Sequence, residues 1–175
     1  MLWTLAFDRV GAVVSDIYFV DPALDQGEGG AERGVRLELR QFVRDELKGS
    51  VYSAAPIRID LPIWRVDLLE TVESVPGSLN RAHHHPRFRG WEPGRRMFVE
   101  ELSANPVPWL TERFADIDKV LIDAEVDVPE EDVAALRNAG PMIVAQVEFM
   151  LGEVAAGRAG LAPPERADFV RHSWL

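Results

Sequence analysis

Hydrophobic and polar positions alternate through the first half of the chain. Val35, Leu37 and Leu39 fall on one side of an extended segment and Arg36, Glu38 and Arg40 on the other, the period of two expected of a half-buried strand. Residues 13–20 are β-branched and aromatic, and the segment before them can pair with them through a turn near residues 9–11. Asp21 and Pro22 close that strand, and residues 21–34 read as an acidic, glycine-bearing loop. Residues 51–73 hold two further strands divided by Pro62, which cannot donate to a ladder and so marks an edge, a bulge or a corner. In the first, Ile57, Ile59 and Leu61 share a face. In the second, Trp64, Val66 and Leu68 face one way, and Arg65, Asp67 and Leu69 the other, where the charged pair is read as solvated. Pro76 and Gly77 supply the next turn.

The period then changes. Residues 106–123 carry Leu110, Phe114, Ile117 and Leu121 at helical spacing, with Pro108 near a permitted first-turn position. Asp127 is placed to cap a helix opening at Pro129, with Glu130, Glu131 and Asp132 at its positive end. Gly140 and Pro141 are expected to break it. A second helix follows with Ile143, Val147, Met150, Leu151 and Val154 on one face, a core stripe or, if the sheet leaves it uncovered, a homodimer face. Strands first and helices second predict an α+β fold: a mostly antiparallel N-terminal sheet of five or six strands, with scope for strong curvature, and C-terminal α-helices packed on it. One domain over residues 1–175 is expected, β-rich in 1–103 and helical in 106–175.

Composition narrows the function classes. The 175 residues include no cysteine, which excludes disulfide scaffolds, thiolate metal sites and a cysteine nucleophile. A net charge of −10 runs against a broad nucleic-acid surface or an anionic-membrane binder. Lys48 and Lys119 are the only lysines among 19 basic residues, a bias that reads as a GC-rich bacterial genome. The apolar start has no basic segment before it, and residues 142–151 are interrupted by Gln146 and Glu148, so a soluble cytoplasmic protein is expected. The five tryptophans, Trp3, Trp64, Trp91, Trp109 and Trp174, read as packing residues, Trp91 excepted because charge and glycine surround it.

Familiar motifs are missing. Glu32 stands where a dinucleotide fingerprint needs its third glycine, and no Walker lysine, nucleophile elbow or zinc-protease helix is present. Asp21, Asp25, Glu28 and Glu32 lack the alternation of a calcium loop.

Residues 81–96 depart from the rest. Five arginines and one glutamate give +4 in a chain of −10, and three of the four histidines lie here. Three chemistries fit. In extended backbone, His83 and His85 share a face and can chelate one divalent metal while His84 points away, with His172, Asp67 or Glu70 as third ligand. Alternatively, Arg81, Arg87 and Arg89 hold a phosphate-bearing small ligand, Trp91 stacks on it, and histidine serves as acid or base. Lastly, the loop docks on the acidic stretch 116–132, which sums to −7, in its own chain or in a second copy. The leading expectation is a non-catalytic interaction or regulatory protein presenting loop 81–96 to an acidic partner or to its own twin. The alternative is a metal- or histidine-dependent phosphoesterase or small nuclease using His83 and His85, with Asp67 orienting a histidine or ligating the metal.

Overall fold

The computed structural model describes residues 1–20 and 30–163. Most of the acidic loop, together with His172 and Trp174, lies outside the described residues. Five strands form one antiparallel sheet in sequence order: β1 (Leu2–Ala6), β2 (Val10–Phe19), β3 (Glu32–Arg44), β4 (Ile57–Thr71) and β5 (His83–His85). The order is open, with no closure into a barrel. A two-stranded ribbon, β6 (Phe88–Arg89) and β7 (Glu92–Pro93), follows. Among the described residues four helices follow: α1 (Glu100–Ala104), α2 (Pro106–Ala115), α3 (Ile117–Asp123) and α4 (Glu130–Ala155). This is the α+β arrangement that the change of period predicts.

The alternation dictates the layers. Ala12, Val14, Val35, Leu37, Leu39, Trp64, Val66 and Leu68 turn toward the helices and form the buried core with Leu110, Phe114, Leu136 and Ile143. Burying each large aliphatic side chain contributes roughly 1.5–3 kcal/mol. The intervening residues Arg36, Glu38, Arg40, Arg65 and Asp67 turn to the opposite face. Register brings their charges together: Arg36 stands opposite Asp67 and Glu38 opposite Arg65.

Pro62 does not divide two strands. It sits opposite Arg40 within one long β4, where the β3–β4 register shifts, and the bulge absorbs its missing donor. Strand β3 starts at Glu32, inside the segment read as loop.

The helical half differs from its pattern in three places. Residues 106–123 form two helices, because Asp116 leaves the helical region (φ −110°, ψ 47°). The bend lets Phe114, Ile117 and Leu121 all reach the core. Pro129, not Asp127, occupies the cap position of α4, with no side-chain cap bond. Buried Asp132 in the first turn instead accepts the backbone N–H of Asp8 (3.2 Å) and Arg9 (2.8 Å), fastening the β1–β2 turn.

Gly140 and Pro141 do not break α4, which continues for 26 residues. A Cβ on Gly140 would stand 2.7 Å from that of Phe114, so the glycine allows close approach of α2. Leu136 before the proline and Ile143, Val147, Met150 and Val154 after it are buried, and this packing offsets the lost backbone bond. The stripe is therefore core. Among the described residues no helix is long and apolar enough to cross a membrane.

Candidate metal centre

Strand β5 is three histidines long and runs beside β4, with His83 opposite Asp67 and His85 opposite Arg65. Pleating sends His83 and His85 to the charged face and His84 toward the helices, where its ring lies 5.2 Å from that of Trp109. On its other side β5 is held by reciprocal backbone bonds between His84 and Met97 (3.0 and 2.8 Å).

Asp67, His83 and His85 are buried together, at 2%, 4% and 4% exposure. The solvated reading of the Arg65 and Asp67 face is thus corrected. Neighbouring strands crowd it, and the β6–β7 ribbon folds against it, placing Phe88 under the Arg65 guanidinium (4.9 Å) and Trp91 under that of Arg40 (5.2 Å). Buried charges require partners here and have them. Glu38 accepts from Arg40 (2.7 Å) and Arg65 (2.7 Å) on separate oxygens, and Asp67 Oδ1 accepts from Arg36 Nε at 2.6 Å.

The histidine tautomers follow from their neighbours. His83 Nδ1 lies 2.8 Å from the carbonyl of Arg81, and His85 Nδ1 lies 2.8 Å from that of Gly94. A carbonyl only accepts, so both Nδ1 atoms carry hydrogen and, in the neutral rings, both Nε2 atoms present lone pairs. These point at one oxygen: Asp67 Oδ2 is 3.5 Å from His83 Nε2 and 3.7 Å from His85 Nε2. Burial, opposed by the Gly94 carbonyl and by Asp67, holds the His85 imidazole below its ordinary value, which favours the neutral ring.

Two lone pairs facing a carboxylate oxygen repel unless a cation or a hydrogen-bond donor stands between them, and a divalent cation satisfies all three atoms at once. The three ligand atoms all lie within 4.8 Å of one another. Ligands about 2.1 Å from a tetrahedral metal are separated by roughly 3.4 Å, close to the two spacings found. Carbonyls on both Nδ1–H groups and Arg36 on the far carboxylate oxygen form the kind of surrounding shell that orients metal ligands. Two imidazoles and one carboxylate suit zinc or ferrous iron and leave coordination positions open. The group opens onto a cleft of about 640 Å³ that Arg36, Arg65 and Arg96 also line.

The loop arginines do not gather here. Arg81 pairs with Glu32 at 3.2 Å, and Arg87 reaches Glu125 in the acidic stretch. Among the described residues, no carboxylate stands within 4.0 Å of Arg89, Arg95 or Arg96. Trp91 is 59% exposed at the ribbon's turn. Glu70, the other carboxylate considered as a ligand, is buried elsewhere, accepting from Arg33 (3.1 Å) and from the N–H groups of Gly77 (2.6 Å) and Ser78 (3.0 Å). Pattern reading missed Arg36, Glu38 and Arg96. The signal for the first two was available in the opposite charges alternating along both β3 and β4.

No known protein family, curated protein or solved structure matches this chain.

Proposed function

We propose that Asp67, His83 and His85 hold a divalent metal ion and that the protein is a metal-dependent phosphoesterase acting on a small anionic substrate. One observation carries this reading: two buried imidazoles, each fixed by a backbone carbonyl, turn their Nε2 lone pairs onto the same carboxylate oxygen. Such an ion supplies Lewis acidity and acidifies bound water. The chain's own groups do the rest. Arg36 restrains the Asp67 carboxylate, and Glu38 holds Arg65 at the cleft wall. Arg96, with no carboxylate in reach among the described residues, is the group available to bind a phosphoryl oxygen.

The test is elemental analysis of untagged protein beside the His83→Ala/His85→Ala variant, followed by hydrolysis of bis-p-nitrophenyl phosphate and p-nitrophenyl phosphate with zinc, manganese or iron added. Near-stoichiometric metal in the parent and its loss from the folded variant support the centre; metal-dependent hydrolysis lost in the same variant supports the activity. Equal metal content in both proteins overturns the reading.

A second reading, a non-catalytic interaction protein binding an acidic partner or its own twin, is favoured by the exposed aromatics Trp91 and Phe98 (65%) among the loop arginines. It predicts that Arg87→Glu/Arg89→Glu dissolves a complex seen by size exclusion at low salt, with metal content unchanged.

A further inference from the structure

On the opposite face of β5, a second cleft of about 240 Å³ opens between the sheet and helices α2 and α3. Its walls are aromatic. Trp64 and Trp109 stack with centroids 6.1 Å apart, and His84 lies against Trp109. The Arg113 guanidinium lies over the Trp109 ring, 4.9 Å from its centroid. Two polar atoms of the lining residues are buried without a hydrogen-bond partner: Arg113 Nε and His84 Nδ1. The first is always a donor, and the second donates in one of its two neutral tautomers. Leaving such groups unmatched costs about 1–3 kcal/mol each, and the Arg113 donor is matched by an acceptor that enters beside it.

Charge points the same way. Lys119 of α3 lines the cleft and, among the described residues, has no carboxylate within 4.0 Å, nor does Arg113. Asp123, the acidic residue of the lining, subtracts one charge and leaves the site positive overall.

We infer that this cleft is a binding site for a small oxyanion carried on a flat apolar body, a planar carboxylate or phosphonate-like group held by Arg113, Lys119 and His84 with its body against Trp64 and Trp109. The site is separate from the Asp67 cleft and does not depend on the metal reading. Its modest volume suits a single ring or a comparably small group.

Because two tryptophans line the cleft, their fluorescence reports occupancy. Metal-free protein is titrated with benzoate and with phenylphosphonate, alongside Arg113→Gln, Lys119→Met and Arg96→Ala. The expected result is a saturable change with at least one anion, weakened about tenfold or more in Arg113→Gln, the loss typical of one charge-assisted hydrogen bond, and retained in Arg96→Ala. Should Arg113→Gln fail to fold, Lys119→Met, an exposed position, decides by the same criterion. No saturable change with either anion, unchanged affinity in the deciding variant, or loss in Arg96→Ala overturns the assignment, the last by placing the anion in the metal cleft.

Discussion

The Nδ1–H of His85 donates to the backbone carbonyl of Gly94 at 2.8 Å, so the residue that follows β7, nine positions further along the chain, sets the tautomer of a buried imidazole. Gly94 is itself held by its N–H on the Arg87 carbonyl at 2.9 Å, and a Cβ there would stand 2.8 Å from that oxygen. Gly94→Ala therefore displaces the acceptor without touching a proposed ligand. Its affinity for zinc, measured by competition with a chromophoric chelator, should fall about 10–100-fold, as for other second-layer partners of metal-bound histidine.

Arg36→Met leaves the Asp67 carboxylate buried without its cation. Breaking a buried pair from one side costs roughly 3–5 kcal/mol, and the partial exposure of Arg36 places the expected loss near the lower end. Urea unfolding of metal-free protein should show it. Metal at a hundredfold excess over its dissociation constant should return about 2.7 kcal/mol, because the ion binds the native site and not the unfolded chain. An equal metal shift in Asp67→Asn would contradict the ligand assignment.

Acid should weaken the metal-free fold before carboxylate protonation begins. Burial first, then Arg113, pushes the His84 imidazole down to about 4, and burial also lowers His85. A histidine depressed in the native state binds its proton mainly after unfolding. The stability it contributes is complete above the ordinary value of about 6.5 and is lost as pH falls from there toward 4. Denaturation midpoints should decline across that window, and His84→Phe should flatten the slope.

Gly140→Ala should destabilise by about 1–3 kcal/mol through overpacking, since its Cβ would meet Phe114 at 2.7 Å. Thermal unfolding of this variant beside Gly140→Ala/Phe114→Leu tests the cause. The second substitution should restore part of the loss if the contact is responsible.

The strand-then-helix order and the pairing of Val35, Leu37 and Leu39 on one face were legible because each depends on local periodicity alone. What covers the other face was not. Alternation shows that Arg65 and Asp67 lie together, but the ribbon that buries their surroundings is a tertiary event involving residues 88–93. Likewise His83 and His85 announced a shared face, whereas the choice of Asp67 over Glu70 depended on a β4–β5 register that no spacing specifies. Pro141 misled because its local preference is to end a helix. Apolar side chains buried on both sides of it outweighed one missing backbone bond.

The three-histidine strand has a consequence for tolerance to change. Successive residues of β5 serve opposite sides of the sheet, so sliding that strand by one position would exchange their audiences: His84 would face Asp67, and the chelating pair would be turned into the aromatic cleft. Substitutions can erode either site by degrees. A single residue inserted or deleted between Leu79, in the turn after β4, and His83, where β5 begins, would shift that register and disturb both at once.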